Sequence, residues 1–180
     1  MSAQLSRPAL WLAAVFVLTL AVSPALRAGA PLDGDGWERL DKPLDAFVVE
    51  DLNGHELSSA SFAGKVVVID FWATWCAPCI KELPDLIDYH HRLEGQDQIL
   101  LLSFNVTDDD DSLARFLKRH EVDFPIYRAD DLIGPHRLIG FPTKLIIDGN
   151  SEPMKIRYKK IGFAPVEEIE QRVAAILAEK

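Results

Sequence analysis

Cysteine is almost absent from this chain: there are two, Cys76 and Cys79, among 180 residues. Two thiols cannot make a disulfide-stapled scaffold, nor a four-thiolate zinc site within one chain. Basic residues are also short. Nineteen Lys and Arg stand against 28 Asp and Glu, for a formal net charge of -9 and a pI near 5.0. A nucleic-acid binder presents Lys and Arg to phosphates, so no nucleic-acid partner is expected. No internal repeat is visible. What the chain does have is the material of a core. Hydrophobic residues make up 48% and charged residues 26%, which suits one ordinary globular domain and argues against intrinsic disorder.

The first thirty residues read differently from the rest. Arg7 and the α-amino group make a positive start, Ala9 to Val22 carries no charge, and Ser23 and Pro24 break the run. Small residues follow at Ala25, Ala28, Gly29 and Ala30. This is the pattern of a secretory signal. The uncharged stretch from Ala9 to Leu26 is also just long enough for a marginal membrane anchor. Residues 1–28 are therefore expected to be a signal peptide or an N-terminal membrane anchor. Either one puts the remainder in the periplasm or another extracytoplasmic space. Residues 29–44 read as a linker, and 45–180 as the folded domain.

Within the domain, residues 45–51 and 55–57 flank Asn53-Gly54, the strongest short hairpin signal. The runs 65–71 (KVVVIDF) and 99–106 (ILLLSFNV) are apolar in the manner of strands buried on both faces. Residues 77–93 have helical spacing, with Pro84 as a kink. Residues 112–120 predict a helix with Asp108 to Asp111 at its N-terminus, 125–128 a short strand and 132–138 a short helix. Residues 143–148 form a third apolar strand, turned by Gly149-Asn150 into 154–161 as an antiparallel edge pair, and 166–177 is a closing amphipathic helix. His90 and His91 read as a solvated helix face. Strands alternating with helices predict an α/β fold.

The chemistry sits at Trp75-Cys76-Ala77-Pro78-Cys79, directly after a buried strand and at the opening of a helix. Two cysteines at i and i+3 in a first helical turn bring their sulfurs close enough to bond reversibly. Cys76 lies where unpaired backbone N–H groups and the positive end of the helix dipole converge, which lowers its thiol pKa from about 8.5 toward about 7. Cys79, one turn in, is expected to be buried. Cys76 then attacks a partner's disulfide, and Cys79 resolves the mixed disulfide. Two other readings of the pair stay open: a static structural disulfide and a two-thiolate Cu(I) site. A peroxiredoxin is disfavoured, because no Thr-x-x-Cys cradle stands at Cys76.

The block VVVIDFWATWCAPCIKELP (residues 66–84) resembles the active-site segment of the thioredoxin superfamily and, more narrowly, of the TlpA/ResA-like exported thiol–disulfide oxidoreductases. The likeness extends from about Leu44 to Leu177, and Gly140-Phe141-Pro142-Thr143 matches the family's cis-proline loop. The resemblance implies a thioredoxin fold: a central mixed β-sheet flanked by helices, with an N-terminal β-hairpin and a central βα insertion. It implies that Pro142 is cis and lies against Cys76 and Cys79, leaving the Phe141 backbone free to pair with an extended substrate. Trp75, Pro78, Phe141, Pro142 and Thr143 are the substrate-contacting candidates. Glu82 matches the buried glutamate of ResA-like members. Asp70 stands where thioredoxins carry a buried aspartate and many TlpA-like proteins an asparagine. Either acid, buried, can take the proton of Cys79.

These features predict an exported thiol–disulfide oxidoreductase that works as a reductase, with Cys76, Cys79, Glu82 and Asp70 as its catalytic candidates. The residues between the cysteines, Ala77 and Pro78, bring no positive charge, so the thiolate is only moderately stabilised and the couple should be reducing, roughly −200 to −270 mV. No cofactor or metal is expected beyond the redox-active pair Cys76–Cys79. The resemblance implies a membrane thiol donor of the CcdA/DsbD type, and as substrates disulfides of exported proteins such as apocytochrome c. The rivals are a disulfide oxidase or isomerase, and a copper-binding or copper-site-maturation protein using the same two thiols.

Overall fold

The computed structural model describes residues 34–179, so the signal or anchor expected over residues 1–28 lies outside the described residues. The fold is organised by one strand. β4 (Val66–Trp72) is buried at all seven positions, because its β-branched and aromatic run can be covered on both faces. It runs parallel to β5 (Ile99–Asn105) and antiparallel to β7 (Thr143–Asp148). Outward from these lie β8 (Lys155–Ile161) and β1 (Glu38–Pro43) on one side. On the other lie β6 (Ile126–Arg128), β2 (Val48–Asp51) and β3 (Glu56–Ser58). The result is one mixed sheet in the order β1-β8-β7-β4-β5-β6-β2-β3. Three helices complete it: α1 (Ala77–Leu93), α2 (Asp110–Arg119) and α3 (Val166–Leu177). This is the α/β arrangement of a thioredoxin fold, with β2 and β3 as the N-terminal hairpin and β6 inserted between α2 and β7.

Period-two alternation sorts β4 between two cores. Val66 and Val68 join Leu86, Tyr89, Val166, Ile169, Val173 and Ile176 under α1 and α3. Val67, Ile69 and Phe71 point the other way, toward Phe62, Phe104, Leu145 and Ile147. Asp70 continues the first series, and so does Lys144, two residues before Ile146 of that same core.

Three expectations need correction. The stretch 29–44 is not all linker: β1 pairs antiparallel with β8, Glu38 opposite Lys159 and Pro43 opposite Lys155. Consequently the β7–β8 pair is not at an edge, for β4 and β1 cover its two sides. The third is the short helix expected over 132–138, which is absent. A 3-10 turn at Asp130–Leu132 runs into irregular turns instead, where Gly134 and Pro135 break the pattern. The predicted hairpin is present, with Gly54 taking the left-handed backbone (φ 81°) that its turn needs. α1 runs unbroken through Pro84.

Candidate active site

The chain leaves β4 at Trp72 and enters α1 at Ala77, so four residues carry it from the buried sheet to the helix N-terminus. Cys76 is the N-cap of α1, and its Sγ accepts the backbone N–H of Cys79 at 3.3 Å. A first-turn N–H aimed at this sulfur stabilises negative charge on it. Cys76 and Cys79 form a disulfide with their Cα atoms 5.3 Å apart. Both residues are buried, so the pair differs by position on the helix more than by burial. Between them Ala77 and Pro78 are exposed.

The loop before Cys76 is held from across the sheet. Asp108 accepts the Thr74 N–H at 2.7 Å and the Thr74 hydroxyl at 2.6 Å, while Asn105 Nδ2 donates to the same carboxylate at 2.7 Å. Arg128 donates to the Asp108 carbonyl and to Asn105 Oδ1. The helix N-terminus predicted for the whole aspartate run belongs to its later members. Asp109 is the N-cap of α2, accepting from Ser112 N at 2.8 Å, with Asp110 and Asp111 in the first turn. Asp108 is instead a nearly buried strut under the active-site loop. Nothing in a row of four aspartates singles out the one that turns inward.

Three buried charges gather between β4, β7 and α1. Asp70 on β4 and Lys144 on β7 are cross-strand partners, with Lys144 Nζ 3.0 Å from Asp70 Oδ1. Lys144, fully buried, also contacts Glu82 Oε1 on α1. The other oxygen of Glu82 accepts the Ala164 N–H at 3.4 Å. Glu82 stands one helical turn after Cys79, on the same stripe of α1. Its burial pushes its pKa up to about 7, the negative charge of Asp70 adds to the rise, and Lys144 opposes it. Both sequence candidates, Asp70 and Glu82, thus come together at Lys144, with Glu82 one helical turn after Cys79. Lys144 was missed, although a lysine inside the apolar run TKLIID stands out as plainly as the aspartate inside KVVVIDF.

The proline loop meets the cysteines from the side. The Phe141–Pro142 peptide is cis, Pro142 is buried, and its carbonyl accepts the Gly162 N–H at 2.7 Å. Thr143 is buried and donates its hydroxyl to the Gly140 carbonyl at 2.6 Å. Phe141 packs against the cluster that contains Cys76, Cys79, Trp72 and Leu83. Its ring meets Trp75 edge-on at 6.0 Å between centroids. Trp75 is 64% exposed and donates its indole N–H to Thr107 Oγ1 at 3.1 Å, whereas Trp72 is core and donates to Ser103 at 2.7 Å. Ile139, Ile161 and Phe163 are also exposed. Trp75, Phe141 and the exposed Pro78 therefore form an apolar rim beside the disulfide.

Among the described residues, His90, His91 and Glu94 are the group whose ligand atoms could gather round a metal, lying within 4.8 Å of one another. They sit at the far end of α1, away from the cysteines. His91 is paired with Asp123 at 3.1 Å, and His90 is stacked on Phe124 at 4.3 Å rather than simply solvated.

Comparison with known proteins agrees with this geometry. The profile of the AhpC/TSA family matches residues 40–132. The thiol–disulfide oxidoreductase ResA of Geobacillus kaustophilus is 33% identical over 132 residues, covering 72% of this chain and 74% of that protein. ResA of Bacillus subtilis is 29% identical over 125 residues, covering 67% and 69%. A thioredoxin-family thiol:disulfide interchange protein from Chlorobium tepidum superposes with a TM-score of 0.66 at 22% identity, covering 78% of this chain and 99% of that one.

Proposed function

This chain belongs to the AhpC/TSA family and is a ResA/TlpA-like thiol–disulfide oxidoreductase of the thioredoxin superfamily, and from that premise we propose that it is an exported reductase of protein disulfides. The observation that carries the reading is the N-cap geometry of Cys76, whose sulfur is met by the Cys79 N–H at the head of α1. In the reduced protein the Cys76 thiolate attacks one sulfur of a substrate disulfide. A Cys76–substrate disulfide forms, and the released substrate thiolate takes a proton from solvent. Cys79 then gives its proton to the Glu82 carboxylate and bonds to Cys76 Sγ. The bond to the substrate breaks, and the second substrate thiolate is protonated in turn. Two electrons pass from the Cys76–Cys79 dithiol to the substrate.

Reduction is favoured over oxidation by what separates the cysteines. Ala77 and Pro78 are exposed and uncharged, so neither adds positive charge to what the helix terminus supplies. The electrons returning the enzyme to its dithiol come from a membrane dithiol donor. The apolar rim of Trp75, Phe141 and Pro78 suits an extended, partly unfolded segment, as around the haem-attachment cysteines of apocytochrome c. Replacing Cys79→Ser tests this: the variant should trap exported proteins bearing cysteine pairs as stable mixed disulfides through Cys76. Failure to trap any of them, with stoichiometric Cu(I) retention by the wild-type dithiol, would overturn the reading in favour of a copper protein.

A further inference from the structure

One row of the sheet is polar. Lys160 on β8, Lys144 on β7, Asp70 on β4 and Ser103 on β5 are consecutive cross-strand partners, one row below the end of β4. Lys160 is engaged elsewhere, with Glu168 of α3 and the Asp35 carbonyl, and the Ser103 hydroxyl accepts from Trp72. That leaves Lys144 with two acids, Asp70 from β4 and Glu82 from α1, all three buried. From the loop before α3 only the Ala164 N–H reaches the group, and on α1 the neighbouring ionisable side chain is Cys79, one turn before Glu82. Asp70 Oδ1 lies 3.0 Å from the Lys144 ammonium yet meets no donor in hydrogen-bond geometry among the described residues.

We propose that Lys144 is a positioning residue of the exchange reaction: standing between Asp70 and Glu82, it leaves two carboxylates to share one ammonium, so that they hold one exchangeable proton beside Cys79. Charge counting supports this. With both acids ionised the trio carries a surplus negative charge in a low-dielectric site, and with one proton bound it is neutral. The neutral state therefore persists to a higher pH than for an isolated acid. Glu82 is the acid that gains this proton from Cys79 and loses it again, since it is the acid on the helix of Cys79 and the one raised by burial and by Asp70. The inference rests on the reading that Glu82 takes the proton of Cys79.

The test is the single-turnover reaction of the reduced protein with Ellman's reagent, followed against pH. The first thionitrobenzoate released reports attack by Cys76, and the second reports resolution by Cys79. Lys144→Met should move the pH midpoint of the second release upward by about one unit or more, a roughly tenfold slower step at neutral pH. Asp70→Asn should move it downward. The charge-balanced double variant should fall between the two singles, and Glu82→Gln should remove this pH dependence. Opposed shifts of the two singles support the proposal. An unmoved midpoint in folded Lys144→Met, with only a lower Tm, overturns it and leaves Lys144 structural. Should Lys144→Met not fold, Asp70→Asn and the double variant decide: equal midpoints in both overturn the proposal. A missing second release in the wild type would sink the dithiol mechanism itself, which is a separate failure.

Discussion

Alternate residues of β4 and β5 face two different interiors. On one face Val67, Ile69 and Phe71 meet Leu100, Leu102 and Phe104, and every one of these is apolar. On the other, Val66 and Val68 are apolar too, but the next residues in that series are Asp70 and Ser103, with Lys144 and Glu82 against them. A buried ion pair gives up solvation that its attraction only partly returns, so stability alone gives no reason to put three charges there. Their place, near the end of β4 and one helical turn after Cys79, is what the proposed part in the exchange reaction would explain. On one face the series stays apolar; on the other it turns polar at Asp70 and Ser103, and there the proposed chemistry begins.

The comparison is broken most severely at the cysteines. Cys76→Ser should abolish disulfide reduction altogether. Cys79→Ser should leave a long-lived mixed disulfide, seen by mass spectrometry, without turnover. On the apolar face the loss should be of stability alone. Phe104→Ala, which empties a position between Phe47, Phe71 and Tyr127, should cost about 3–5 kcal/mol in denaturant unfolding while leaving the pH profile of the reaction in place. A shifted profile would mean that the two faces are coupled.

Asp108→Ala should fall between these cases. It removes the acceptor of the Thr74 N–H and hydroxyl and of Asn105 Nδ2, and should cost about 1–3 kcal/mol. Because Thr74 is two residues from Cys76, it should also slow the first thiol exchange. A different kind of effect is one of slope. Glu82 is raised from an ordinary 4.5 to about 7, so between those values the folded state binds more protons than the unfolded one, and stability falls as pH rises through that window. Glu82→Gln should flatten this fall in urea titrations, and at pH 8 the variant should have lost less stability relative to pH 5 than the wild type. An equal slope in both would mean that Glu82 titrates normally.

Much of this was legible before any coordinates. The β-branched run of β4, the cysteine pair after it and the amphipathic spacing of α1 and α3 are local signals, and they were enough for the α/β class and the central motif; the thioredoxin fold came with the family resemblance. What escaped depends on distant partners. β1, with the sequence ERLDKP, is mostly exposed and shows no clean alternation; it is a strand because β8, more than a hundred residues later, has an open edge for it. Lys144 and Asp108 are visible as charges, but their roles come from Asp70, Glu82 and Thr74 on other elements. The helix expected over 132–138 does not form, because Gly134 and Pro135 stand inside it.

The most direct test of the account is the equilibrium reduction potential of the Cys76–Cys79 couple, measured against glutathione or a dithiol of known potential. A moderately stabilised thiolate with only Ala77 and Pro78 between the sulfurs predicts a value near or below about −200 mV, as a reductase requires. A value above about −150 mV would make the couple an oxidant and contradict the reductive direction.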